Sequence, residues 1–204
     1  MWGTFTRRLV QSQELHRSSL VLLISPRVAN LPLPIQRFDD PFFPYSKALI
    51  NASKDLVCAY MFDFAAFLAY GAPGAVALER AIGYVPEDYI RILHGDFGGR
   101  AYHVITDKIA FTVDALTIAH QRDLKHYLSV SPYAAFVVHH AENPLDPPLQ
   151  RGGLYRPDKQ VLKVIEQGNT LLSLKVVGQE IVGRGEDFAD LVRQRLVDLR
   201  DDAS

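Results

Sequence analysis

The sequence predicts an α/β protein built from repeated βα units, and three observations carry that reading. Short apolar runs rich in β-formers recur along the chain. They are continuously apolar rather than alternating, as strands buried on both faces of a parallel sheet are. Between them lie stretches with helical spacing of Leu, Ala, Val and Ile, closed by Gly or Pro.

The strand-like runs fall at 19–25, 56–61, 90–93, 115–119, 134–138 and 171–177, with a further one at 180–182. The helix-like stretches fall at 44–53, 64–83, 100–111, 122–129, 158–167 and 187–201. The last is amphipathic, with Phe188, Leu191, Val192, Leu196 and Leu199 set against Asp190, Arg193, Arg195 and Arg200. Alternation over the whole length points to a βα barrel or a doubly wound sheet. The proline- and glycine-rich segment 144–157 reads as a long βα loop, where such folds tend to keep function. One spacing is anomalous. Only Gly178 and Gln179 separate the runs 171–177 and 180–182, whereas a parallel crossover needs about a dozen residues. Either the two runs are one bent strand or a βα unit is missing.

Composition sets the frame. The chain has 204 residues, of which 48% are hydrophobic and 22% charged, enough for one sizeable core and one domain spanning 1–204. Its 22 basic and 23 acidic residues are spread evenly to a net charge of -1, which implies neither a nucleic-acid nor a membrane partner. The single cysteine, Cys58, sits in the apolar run Leu56-Val57-Cys58-Ala59-Tyr60 and reads as a small buried hydrophobe. The apolar stretch at 20–24 is too short for a signal segment, and a cytoplasmic protein is expected.

In a parallel βα fold the strands' C-terminal ends face the ligand. Here they hold Ser25, Met61 to Asp63, His94 and Asp96, His120, His139 and His140, and Arg184. The imidazoles with Asp96 could converge on a divalent metal or could be a hydrogen-bonded polar rim. Asp96, in the glycine-rich turn His94-Gly95-Asp96-Phe97-Gly98-Gly99, could be a ligand, a base or the N-cap of a following helix. In Gly183-Arg184-Gly185 the small residues would let backbone N–H groups approach an anion while the guanidinium grips phosphate; a tight turn with Arg184 in solvent is the alternative.

With these landmarks placed, the sequence resembles the orotidine 5′-phosphate decarboxylase family, in the branch whose second strand reads Cys-Ala-Tyr-Lys-Pro-Asn. The counterpart here is Cys58-Ala59-Tyr60-Met61-Phe62-Asp63, followed by Ala66-Phe67 and by Gly71, Gly74, Leu78 and Glu79. Ser25-Pro26 resembles the end of the family's first strand, Ile92-Leu93-His94-Gly95-Asp96-Phe97-Gly98 its third, and Asp114-Ala115-Leu116-Thr117 its fourth. Phe136-Val137-Val138 resembles the fifth, Leu149-Gln150 with Leu154-Tyr155 the loop after it, Val176-Val177-Gly178 the sixth, and Ile181-Val182-Gly183-Arg184-Gly185 the eighth. The likeness covers most of 5–195.

The resemblance implies a (β/α)8 TIM-type barrel, incomplete here because the seventh-strand region is missing. It implies a homodimer that converts orotidine 5′-phosphate to UMP without metal or organic cofactor, through an alternating Lys-Asp-Lys-Asp array. It places Asp96 at the last acid of that array, and Gln150, Arg184 and Gly185 at substrate and phosphate contacts, with a nucleotide monophosphate as ligand. The departures are as specific. Met61 stands where the family has the second-strand lysine, Ser25 where it has an aspartate, and Leu93 runs straight into His94-Gly95-Asp96 as if Asp-Ala-Lys had been removed. Without those lysines a nascent carbanion has no nearby cation, so the sequence predicts impaired decarboxylation. A non-catalytic nucleotide-binding relative, or a metal-dependent enzyme using His94, Asp96 and His120, are the other readings.

Overall fold

A computed structural model describes residues 2–95, 98–99, 111–129, 134–140 and 145–201. Their order is α1 (Trp2–His16), β1 (Leu20–Ile24), α2 (Phe42–Ser53), β2 (Ala59–Asp63), α3 (Phe64–Leu68), α4 (Ala72–Tyr84) and β3 (Ile90–His94), then β4 (Ala115–Ile118), α5 (Gln121–Ser129) and β5 (Ala134–Val138). The chain continues through β6 (Arg151–Arg156), β7 (Val161–Glu166) and β8 (Asn169–Val177) to α6 (Phe188–Asp201). The eight strands close into a barrel in sequence order, as expected of a TIM-type fold.

Closure takes an unexpected route. Strands β8, β1, β2, β3, β4, β5 and β6 pair in parallel, but β7 runs antiparallel to both β6 and β8. The last three strands are thus a meander with no crossover helix, and the short spacing near Gly178 requires no crossover because residues 179–181 form a turn rather than a strand. Residues 158–167, expected as a helix, are mostly β7. Apolar Val161, Leu162, Val164 and Ile165 satisfy a helical stripe as readily as a half-buried strand. Gln167 (φ 51°) and Gly168 (φ 77°) decide it: two successive residues at positive φ make the tight hairpin turn whose twist matches antiparallel strands, and Glu166 then pairs with Asn169. The loop expected over 144–157 contains β6 because Phe136, Val137 and Val138 pair with Gly153, Leu154 and Tyr155. The strand expected at 180–182 is instead a short 3-10 turn, Gln179–Ile181. The single helix expected over 64–83 breaks into α3 and α4 at Pro73, which lacks an N–H and is tolerated only in a helix's first turn. The helix expected at 100–111 lies outside the described residues but for Phe111.

Two apolar layers hold the barrel. Inside, Val21, Ala59, Met61, Ile92, Ala115, Phe136, Tyr155, Val164 and Val176 fill the lumen. Outside, Leu22, Ile24, Tyr60, Phe62, Leu93, Leu116 and Val137 meet the helices. Each fully buried Leu, Ile or Phe contributes about 1.5–3 kcal/mol. Helix α1, to which the sequence reading assigned no element, plugs the N-terminal end. Its Phe5 and Leu9 enter the lumen, with Phe5 edge-on to Phe136 at 5.8 Å. Ser12 Oγ donates to the Cys58 carbonyl at 2.7 Å, and Arg8 pairs with Asp114 just before β4. At the other terminus, α6 is fastened to the turn after α2 by two 2.6 Å hydrogen bonds from Arg193 to Asp55.

Strand β6 passes so close to β5 that a Cβ at Gly153 would stand 2.3 Å from the Phe136 ring. Gly153→Ala should therefore cost about 1–3 kcal/mol in urea unfolding. Its cost should shrink in a Phe136→Leu background, since the two changes share one space; equal costs in both backgrounds would contradict this packing.

Candidate functional site

The C-terminal strand ends gather a polar cluster above the apolar lumen. Side chains alternate along each strand, so two residues beyond a lumen-facing position the chain faces the mouth again. Met61 is 0% exposed in the lumen, and Asp63 follows it at the rim. Ser25 Oγ donates to Asp63 Oδ2 at 2.7 Å, while Asp63 Oδ1 accepts the Ala66 N–H at 3.0 Å and so caps α3. Parallel pairing sets Asp63 opposite His94.

From β3 the network crosses to β4. His94 Nδ1 lies 2.9 Å from Thr117 Oγ1, which also accepts the Gly95 N–H at 2.8 Å. Having accepted from Gly95, the Thr117 hydroxyl can give its own proton to Nδ1, leaving Nε2 as the protonated nitrogen. The His94 ring meets Tyr155 of β6 edge to face at 5.3 Å. Tyr155 is buried, and its hydroxyl is pushed up to about 12, first by burial and then by the negative charges of Glu180 and Asp63. Glu180 is placed by its own turn, with Oε1 accepting the Gly178 N–H at 2.8 Å. The mouth sets an imidazole and a phenol among two carboxylates, and Lys159, on the turn that follows β6, is exposed.

The residues singled out from sequence fare unequally. Asp96 lies outside the described residues. Arg184 is exposed and follows the C-terminal end of β8, where its Nη2 donates to Asn30 Oδ1 at 2.6 Å and its carbonyl accepts the Leu33 N–H at 3.0 Å. Gly185 sits beside it, and a Cβ there would lie 2.6 Å from Asp187 Oδ1. Gln150 is not with them. It precedes β6, at the N-terminal end of the barrel, where its carbonyl accepts the Gly168 N–H of the β7–β8 turn at 2.9 Å. The expected grouping of Gln150 with Arg184 rested on β6 being part of a loop. Once residues 151–156 pair with β5, Gln150 is carried to the opposite face. His120 and His139 both follow strand ends, and the His139 N–H donates to the Tyr155 carbonyl at 2.9 Å. No group of three or more His, Cys, Asp or Glu placed to hold a metal occurs among the described residues. No described helix is long and apolar enough to cross a membrane.

Thr117, Tyr155 and Glu180 were missed as site residues. The strand parity that puts Ala115 in the lumen also puts Thr117 toward the mouth, a signal present in the sequence. Tyr155 and Glu180 depended on β6 and the turn after β8, which the sequence reading placed differently.

A closed α/β barrel with a polar C-terminal mouth defines the class of protein. Comparison with known proteins narrows it: the chain is a homologue of the orotidine 5′-phosphate decarboxylases. It is 31% identical over 150 residues to the enzyme of Thermomicrobium roseum, a match spanning 69% of this chain and 53% of that one. It is 28% identical over 160 residues to that of Herpetosiphon aurantiacus, spanning 74% and 59%. Among solved structures, a Toxoplasma gondii chain described as an orotidine-monophosphate decarboxylase aligns with a TM-score of 0.58 at 26% identity, over 71% of this chain and 52% of that one. Leishmania donovani OMP decarboxylase aligns at 0.54 and 24% identity over 76% and 60%, a likeness of fold. No family model matches the chain. The chain spans about half the length of the curated relatives it matches.

Burial also makes the barrel alkali-sensitive. Cys58, fully buried, has its thiol pushed up from 9.0 to about 12 by desolvation, and Tyr155 moves from 10.0 to about 12. Both are neutral in the fold and ionise earlier once unfolded, so their contribution is whole below about pH 9 and is lost as pH rises toward 12. Urea midpoints should stay level up to about pH 9 and then fall; a level profile through pH 11 would contradict the assignment.

Proposed function

We propose that this chain is an orotidine 5′-phosphate decarboxylase homologue in which decarboxylation is impaired and nucleotide monophosphate binding is retained. Met61 carries the reading. It occupies the second-strand position at which the resemblance places a lysine, and it is fully buried in the lumen directly below Asp63. A thioether there offers neither a proton nor a positive charge to a carbanion forming above it. Transition-state stabilisation of this type depends on charge already in place where charge develops, in a site of low dielectric. The carboxylates of the mouth add to this: after burial, Glu180 and Asp63 raise the Tyr155 hydroxyl, and the same negative potential opposes a carbanion.

Binding, on this reading, falls to Arg184 and Gly185, which border the C-terminal mouth on the turn before α6. Arg184 already engages Asn30, so the guanidinium is held over that turn and keeps donors for a phosphate. Gln150 lies at the other end of the barrel and has no part in it. The proposal takes residues 1–204 as a single barrel domain acting in the cytoplasm, as length and composition suggest, and as a homodimer without metal or organic cofactor, as the resemblance implies.

Two experiments test it. Orotidine 5′-phosphate incubated with the full chain should show no loss of ultraviolet absorbance above the uncatalysed background, and Met61→Lys alone should not restore it, because the third-strand lysine is missing too. Measurable turnover by the unaltered chain would overturn the impairment. UMP binding followed by calorimetry should weaken about tenfold or more in Arg184→Ala, the loss of one bidentate anion contact; affinity unchanged by the substitution would remove Arg184 from the site.

A further inference from the structure

We propose that a second cleft, beside the barrel mouth, is a binding site for a small planar aromatic carboxylate. The cleft has a volume of about 450 Å³ and opens between the loop after β1 and helix α3. That volume lies in the range of small-molecule sites, which are largely apolar with a few polar groups that fix orientation. Arg27, Phe42, Asp63, Ala66, Ala69 and Tyr70 are the lining residues that matter.

The aromatic walls are held in place. Tyr70 is the ring that can meet a ligand; it is backed at 4.6 Å and 32° by Phe42, which is 2% exposed and clamped edge-on by Phe67 at 5.9 Å. The Tyr70 hydroxyl donates to the Asp39 carbonyl at 3.3 Å, which fixes the outer ring. Facing them, α3 and its C-cap contribute Ala65, Ala66 and Ala69, no more than methyl groups, so the space stays wide enough for a flat ring rather than being filled by larger side chains. Stacking or edge contact with such walls is worth about 0.5–1.5 kcal/mol beyond area burial.

Charge supplies the rest of the description. Arg27 is exposed and makes no ion pair among the described residues, whereas Arg8, Arg37, Arg91, Arg156 and Arg193 each face a carboxylate. A guanidinium so placed suits a carboxylate, which it can grip through two parallel hydrogen bonds. Asp63 sets the opposite polarity: its oxygens already accept from Ser25 and Ala66, and its spare lone pairs favour a donor and repel an anion. A ligand with its carboxylate on Arg27 and a ring hydroxyl toward Asp63 satisfies both. Met61, His94, Thr117 and Tyr155 are absent from the lining, so only Asp63 is shared with the mouth, and the proposal does not depend on the decarboxylase reading.

The probe is 4-hydroxybenzoate, titrated into the full chain by calorimetry. Saturable one-site binding is expected, about tenfold weaker in Arg27→Gln. Phenol, which lacks the carboxylate, should bind the unaltered chain about as weakly as 4-hydroxybenzoate binds Arg27→Gln. Ala69→Leu and Ala66→Leu, made separately and checked by thermal unfolding, should each intrude on the place of the ring and weaken binding. Absence of saturable binding, or binding that Arg27→Gln and the folded leucine variants retain undiminished, would overturn the proposal.

Discussion

The pairing of β8 with β1 is the constraint on which the rest of the molecule depends. Leu20, Val21 and Leu22 meet Lys175, Val176 and Val177 in parallel, and that seam leaves the sheet with no open edge. Three consequences follow. The lumen becomes a sealed space that side chains must fill, the strand ends are brought into one ring, and the turn after β8 is delivered to the loop after β1. The hydrogen bonds from Leu33 to the Arg184 carbonyl and from Arg184 to Asn30 exist because the seam puts those two loops side by side.

Closure by a meander shapes the mouth. A βα unit between β6 and β8 would set each strand's C-terminal end on the same face. With β7 reversed, the connection between β6 and β7 lies at the mouth and the one between β7 and β8 at the plugged end. Tyr155 reaches the mouth while Gln150, five residues earlier in the chain, does not, because β6 runs parallel to β5. The mouth that results is negatively biased around a neutral phenol and an imidazole. Below it Met61 is buried against Ile92 and Ala115, where a thioether carries no electrostatic cost.

Much of this was legible in the sequence. The strand runs at 19–25, 90–93, 115–119 and 134–138 and the amphipathic helix at 187–201 were identifiable because burial on both faces, or on one stripe, writes itself directly into residue order. The motif Cys58-Ala59-Tyr60-Met61-Phe62-Asp63 carried the family resemblance, which sets Met61 where a lysine is expected. Less was legible where local pattern is ambiguous. Val161, Leu162, Val164 and Ile165 suit either a helix or a strand, and the choice rests on a two-residue turn at positive φ together with partners on β6 and β8. Helix α1 was not foreseen, since its mean composition is polar and its role as a plug exists only once there is a lumen for Phe5 and Leu9 to enter.

The sequence by itself determined the α/β class and the absence of a charged side chain at position 61, because both depend on residue identity and short-range spacing, and its motifs carried the resemblance that implied the barrel and the kinship. Tertiary structure alone decided which strand ends share a mouth, that Gln150 and Arg184 stand at opposite ends, and that Arg27 and Asp63 line one cleft. The physical reason is that strand direction is settled by pairing between segments far apart in the chain, and reversing one strand exchanges the ends of the barrel without changing a single residue.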